Sequence, residues 1–298
     1  MTVRRYVSPA AFKQALEQRL RSSASTGGAF ARRRQILVFH RFVARIAALF
    51  GDDATLKGGL VLELRVARAR ATKDVDLRLV SDPARLLERL QEAGRRDLLD
   101  FMTFELRRDE EHPTIENDGL PYGGWRFRAE CRLAGQPYGL PFGVDIVLGE
   151  PLVDEPEIVV AADTLGFAGI APPQIRVYPI ETHLAEKLHA YTMPRLRPNS
   201  RIKDLPDMAL LATVRRLQSA RLRRALQQTF SCRRTHALPL QVPEPPAAWT
   251  EPFAAMADEE ELAWPTLAEL VAALRSFLDP VLANERDATW WPETWQWR

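Results

Sequence analysis

Between Ala54 and Val80 the chain reads ATLKGGLVLELRVARARATKDVDLRLV, and no other stretch restricts its folding so sharply. Gly58-Gly59 follows the short apolar run Ala54 to Leu56, and a residue without Cβ can take φ > 0 and present its backbone N–H groups to an anion. Leu60, Val61, Leu62 and Leu64 then give a helix an apolar side, with its positive N-terminal end toward whatever the glycines cradle, phosphate being the natural occupant. After a turn at Ala69 to Thr72, the residues Val75, Leu77, Leu79 and Val80 have strand character, with Asp74 and Asp76 alternating among them. A period of two puts both carboxylates on one face. Like charges that close repel unless a cation sits between them, and hard oxygen donors beside a phosphate suit Mg²⁺. A lone Asp-x-Asp reads as a solvated strand face; behind a Gly-Gly turn and a helix it reads as a metal pair.

The 298 residues can bury one large core or two domains of ordinary size. No apolar run approaches the roughly 20 residues a membrane-spanning helix needs, and the N-terminal residues MTVRRYVSPAAF lack the apolar centre of a signal peptide. The expectation is a cytoplasmic protein with no membrane partner. Cys131 and Cys232 stand apart, and the histidines show no zinc-ligand spacing, so neither a disulfide framework nor a zinc site is indicated. Basic side chains are overwhelmingly Arg; the lysines are Lys13, Lys57, Lys73, Lys187 and Lys203. Lys is a compact point charge and Arg a planar fork, so a chain that uses Arg elsewhere keeps Lys where geometry asks for it.

In chain order, Ser8-Pro9 opens an amphipathic helix over 8–24, and a second runs over about 28–50 with arginines read as its solvated face. Asp82-Pro83 starts a helix ending near Gly94. The stretches 101–106, 125–133 and 143–148 read as antiparallel strands, separated by turns at 116–119 and 121–124, and a mixed sheet follows. Asp145 lies alone in an apolar strand, which is costly unless it reaches solvent or meets a cation. After the strand 175–178 the pattern turns helical. Lys187, on the helix 181–192, is either a surface lysine or a cation aimed at a phosphate site. Residues 181–234 hold twelve Lys and Arg against four Asp and Glu, whereas 235–298 hold three against eleven. The basic part either follows a nucleic-acid backbone or packs against the acidic helices at 250–262 and 266–283. The segment 238–249 reads as an extended, proline-rich surface linker, and the tryptophans Trp264, Trp290, Trp291, Trp295 and Trp297 either stack on bases, meet a partner or bury in the bundle.

Gly-Gly, a helix and then Asp-x-Asp on the next strand resembles the superfamily of nucleotidyltransferases that includes DNA polymerase beta and the aminoglycoside nucleotidyltransferases. Lys57-Gly58-Gly59 with Arg70-Ala71-Thr72-Lys73-Asp74-Val75-Asp76-Leu77 is most similar to the AbiEii/AbiGii toxin group, which includes the MenT toxins. Gly59 stands where many superfamily members carry a Ser, which leaves phosphate contact to backbone groups and nearby cations. The resemblance implies an α/β (α+β) nucleotidyltransferase fold with a mixed sheet, spanning residues 1–179, and a C-terminal all-α helical lobe over 180–298. It implies that Asp74, Asp76 and Asp145 (followed by Gly149-Glu150) hold Mg²⁺, and that Asp145 helps activate the acceptor hydroxyl. Lys57, Gly58 and Gly59 meet the nucleotide. Lys187, in a Glu-Lys-Leu context, and Asp204, within Arg201-x-Lys203-Asp204-x-x-Asp207, complete that side, Asp204 acting at the nucleotide or orienting Lys187 where it is more than an N-terminal helix acid, with Asp207 one turn on able to share the role. An NTP substrate, a tRNA 3′ end as acceptor and a separately encoded antitoxin follow from the same resemblance. Within the class, the acceptor is alternatively a protein or a small molecule such as an aminoglycoside; outside it, the chain is a binding module that has kept the fold.

Overall fold

The computed structural model describes residues 6–66, 72–115, 123–149, 152, 154–195, 201–284 and 287–298. Ala69, Arg70, Ala71, the turn residues 116–122 and Glu150 lie outside the described residues. Ser8 accepts a hydrogen bond from Ala11 N and Pro9 fills the first turn, which starts α1 (Pro9–Ser22); Thr26 caps α2 (Gly27–Phe50) in the same way. The face of α2 read as solvated differs near its end. Arg41 and Arg45 are buried, and both guanidinium groups close on Asp100. Helical spacing alone does not reveal an acid some 55 residues away that makes burying them tolerable.

The central sheet is built from β1 (Ala54–Lys57), β2 (Asp74–Leu79), β3 (Met102–Arg108), β4 (Thr114–Ile115), β5 (Gly124–Leu133), β6 (Gln136–Pro137), β7 (Phe142–Leu148), β8 (Glu157–Val160) and β9 (Gln174–Val177). Its order is β3-β5-β7-β2-β1-β9-β8, with β4 and β6 pairing with β5. The pairs β2 with β7 and β1 with β9 are parallel and the others antiparallel, so the sheet is mixed. Between β1 and β2 lies α3 (Gly59–Arg65), and between β2 and β3 lies α4 (Leu86–Arg95). Phe42, Phe104, Phe127 and Phe142 belong to the core beneath one face; the other carries the alternating polar residues of β2, β5 and β7.

From β9 the chain enters α5 (Ile180–Thr192), followed by α6 (Asp204–Ala212), α7 (Ser219–Arg233), α8 (Thr250–Glu259) and α9 (Leu267–Leu282), the last opened by a capping box of Thr266 and Glu269. This helical region also holds a small antiparallel sheet of β10 (Leu217–Gln218), β11 (Thr289–Trp291) and β12 (Gln296–Trp297). Trp290 is buried and Trp295 and Trp297 pack half-buried against the helices: their indole N–H groups donate to the carbonyls of Ala212, Ala273 and Phe277. The proline-rich segment is tied down as well, since Val242 is buried and bonded to Asp279 and Arg275. Two hydrophobic clusters result, one running from Phe12 to Val177 and one from Ile180 to Trp290, to which α3 lends Leu62. Among the described residues no helix is long and apolar enough to cross a membrane.

Candidate active site

Gly58 carries φ +70°, and a Cβ there would lie 1.9 Å from Asp76 Oδ2. The turn therefore needs glycine twice over, for its backbone and for the carboxylate folded against it. Register does the rest. Lys57 pairs with Asp76 across β1 and β2, Asp76 with Asp145 across β2 and β7, and Asp145 with Arg126 across β7 and β5. Paired residues share a face, so one row reads cation, acid, acid, cation. Because β9 lies beside β1 in parallel, α5 rises next to the Gly58 turn, and Lys187, seven residues up, reaches it.

A cavity of about 360 Å³ opens where these elements meet, lined by Lys57, Gly58, Gly59, Asp76, Asp145 and, from the helical region, Lys187 and Asp204. Seven of the eight residues singled out from the sequence thus face one space. Asp74 stands at its rim, exposed on the same sheet face, its carboxylate leaning over Gly143, where a Cβ would meet Oδ1 at 2.3 Å. Lys187 Nζ donates to Asp204 Oδ1 (3.1 Å) and Asp207 Oδ2 (2.7 Å), which fixes its position from α6. Lys57 Nζ (3.0 Å) and Arg233 Nη2 (2.7 Å) both donate to Glu186 Oε1.

The acids are unevenly served. Arg126 Nε and Nη2 each donate to Asp145 at 2.7 Å, taking both of its oxygens. The Asp76 carboxyl is pushed up to about 6, first by burial and then by the charge of Asp145, with Lys57 opposing. A carboxylate so reluctant to ionise is a centre short of positive charge, and its hard oxygen donors fit a divalent cation. Among the described residues no three acidic, His or Cys side chains are gathered as a ready metal cage, because Asp145 is turned to Arg126.

Sequence reasoning missed Arg126, Arg233 and His183. Nothing local announces Arg126, since only strand register sets it opposite Asp145. His183 was legible: it precedes Lys187 by one helical turn and shares its face. It is 2% exposed, lines the cavity, and neither ring nitrogen has a hydrogen-bond partner. Burial and then Lys187 hold its pKa well below the ordinary histidine range, so the ring is neutral.

The sequence profile of the AbiEii toxin family, nucleotidyltransferases of type IV toxin-antitoxin systems, matches residues 41–284. The chain belongs to that family. It is a nucleotidyltransferase toxin, and the matched span runs from α2 through α9 and so contains every residue of the cavity. Among solved structures it is similar to MenT4, a nucleotidyltransferase toxin from Mycobacterium tuberculosis H37Rv, at 17% identity and a TM-score of 0.54, over 97% of this chain and 93% of that one. At that identity the likeness speaks for the fold, an α/β nucleotidyltransferase region followed by a helical one. Two Helicobacter pylori structures also match. JHP933 has 14% identity and a TM-score of 0.45 over 85% and 94% of the two chains; a nucleotidyltransferase has 15% and 0.43 over 88% and 99%. No curated relative matches by sequence.

Proposed function

We propose that the toxin transfers a nucleoside monophosphate from an NTP to the 3′ end of a tRNA in the cytoplasm, with Mg²⁺, and that a separately encoded antitoxin opposes it. The observation carrying this reading is the shared cavity, which gathers a glycine turn, two strand carboxylates and a lysine held by two aspartates from elements far apart in sequence. Residues 1–179 and 180–298 act as two lobes with the cavity between them. Gly58 and Gly59 offer backbone N–H groups to the phosphates, while Lys57 and Lys187 balance their charge. Because α3 spans only seven residues, the side-chain cations matter more than its dipole.

Asp74 and Asp76, joined by Asp145, would hold Mg²⁺, which when bound supplies charge neutralisation for the phosphoryl oxygens. The acceptor oxygen forms a bond to the α-phosphorus, the bond from that phosphorus to the α,β-bridging oxygen breaks, and pyrophosphate leaves with the electron pair. Asp145 takes the hydroxyl proton once Arg126 releases an oxygen. Asp204 and Asp207 orient Lys187, and Asp204, which lines the cavity, faces the nucleotide side as well. To test this, purified protein is incubated with Mg²⁺, each α-labelled NTP in turn and total tRNA. Label on RNA that disappears in Asp76→Ala supports the reading; NTP binding without labelled RNA moves the acceptor to a protein or small molecule, and no NTP binding ends it.

A further inference from the structure

In sequence, the arginines of 181–234 either follow a nucleic-acid backbone or pack against the acidic C-terminal helices. In the fold, many of them are spent internally. Arg215 binds Glu157 and Glu181, Arg224 binds Asp154, and Arg233 binds Glu186, while Arg216 lies over the Trp291 ring at 3.3 Å. A different basic row emerges on the sheet. One step from the Lys57, Asp76, Asp145, Arg126 row, strand register aligns Asp74 with Gly143, Gly143 with Arg128, and Arg128 with Arg107. Neighbouring strands lie roughly 4.8 Å apart, which puts the backbone of Arg128 about 10 Å and that of Arg107 about 14 Å from Asp74.

Three features make this row a track. Both side chains are open to solvent, Arg128 at 52% and Arg107 at 69% exposure. Their acidic neighbours are held loosely: Asp109 sits 3.7 Å from Arg128, with its other oxygen occupied by the backbone N–H groups of Glu111 and His112, and Glu110 sits 3.6 Å from Arg107. Gly143 has no side chain of its own between Arg128 and Asp74, and the Asp74 carboxylate leans over it toward Arg128's strand. Farther along β5 the row ends, since Arg132 closes on Glu105 at 2.8 Å.

We propose that Arg128 and Arg107 hold the backbone phosphates of an RNA acceptor strand immediately upstream of its 3′ end, so that the acceptor crosses β3, β5 and β7 to reach the acid centre. This rests on the transferase reading above and adds the acceptor's path. The row order then makes chemical sense. Lys57 and Lys187 lie on the β1 side of the acids for the triphosphate, and the arginines lie on the β5 side for the acceptor, as an attacking and a leaving oxygen in line require.

The experiment uses full-length protein carrying Arg107→Glu and Arg128→Glu together, beside Arg221→Glu on the helical lobe, whose side chain is also exposed. Label transfer to total tRNA is measured against RNA concentration from 50 to 200 mM salt, and NTP affinity by equilibrium dialysis. Expected for the double variant are a KM for RNA raised about tenfold or more and a salt slope shallower by about 1.4 to 1.8, as two lost phosphate contacts dictate, with NTP affinity unchanged. Arg221→Glu should match wild type. A double variant with wild-type RNA KM and salt slope overturns the proposal, as does a loss that follows Arg221 instead. If wild type labels no RNA, the tRNA reading falls and this path with it; if wild type labels RNA and the double variant does so equally well, only the path falls. Melting temperatures of the variants confirm that both fold.

Discussion

Two groups of charge in this molecule, one buried around Asp100 and one half-buried around Asp76, are wired in opposite ways. At Asp100, 0% exposed, Arg41 Nε (2.6 Å), Arg45 Nη2 (2.6 Å) and Met102 N (3.0 Å) supply the donors, and the surrounding charges are of opposite sign. Burial would raise the Asp100 pKa, but the hydrogen bonds and charge of Arg45 and Arg41 outweigh it and hold the carboxyl below its ordinary range. At Asp76, Asp74 and Asp145 add like charge, and the carboxyl rises to about 6. The first arrangement neutralises its acid within the folded chain and joins α2 to the start of β3. At the second, burial and like charge outweigh the nearby lysines, and its hard oxygen donors suit a divalent cation. Evenly satisfied charge holds the fold together; unevenly satisfied charge marks where the fold expects company.

The largest expected effect breaks the Asp100 side. Asp100→Ala leaves two buried guanidinium groups without their acid and should cost about 3–5 kcal/mol in urea unfolding, while label transfer per folded molecule stays as in wild type. On the Asp76 side the outcome reverses. Asp76→Asn should lower transfer by about 10²–10³-fold, yet the melting temperature in metal-free buffer at pH 7 should hold or rise, because a strained charge has been removed. A melting temperature that drops sharply would mean Asp76 is part of the framework.

The pH dependence sharpens the contrast further. Asp76 binds its proton more tightly folded than unfolded, so between its ordinary 3.8 and about 6 the folded state carries more protons, and stability falls as pH rises. The full cost at neutral pH without metal is about 2–3 kcal/mol. Asp100 runs the other way: its contribution is present above the ordinary carboxylate range and is lost as pH falls through its lower folded value. Urea curves for wild type and Asp76→Asn should therefore coincide below pH 4 and separate by pH 6, with added Mg²⁺ closing the gap. The smallest effect is at Arg126. Arg126→Ala frees both oxygens of Asp145, and the Mg²⁺ needed for half-maximal transfer should fall about tenfold, the size of one modest charge-assisted hydrogen bond. An unchanged or higher Mg²⁺ requirement would show that Arg126 helps to assemble the acid centre.

Much of the site was legible before folding because its signals are local. A Gly58-Gly59 turn, Asp74 and Asp76 two residues apart on a strand, and Lys187 on a helix face each follow from the backbone geometry of a few neighbouring residues. So does the helix start at Ser8, whose side-chain oxygen caps the first turn ahead of Pro9. Charge partners were not legible. The arginines of α2 read as solvated and two of them are buried; those of 181–234 read either as a nucleic-acid track or as partners of the C-terminal acidic helices, and several pair instead with Glu157, Glu181, Asp154 and Glu186.

What the sequence by itself determined, then, is which short segments turn, coil or extend, and that a glycine turn and a pair of strand carboxylates come close together. Tertiary structure decided the rest: that Arg126 faces Asp145, that Lys187, held by Asp204 and Asp207, lines the same cavity as Gly58, and that His183 is buried there with neither ring nitrogen hydrogen-bonded. The reason is one of range. Backbone conformation is set by neighbours along the chain, whereas burial and Coulomb interaction depend on distance in space, and strand register and the entry of α5 beside β1 establish those distances only when the whole chain has packed.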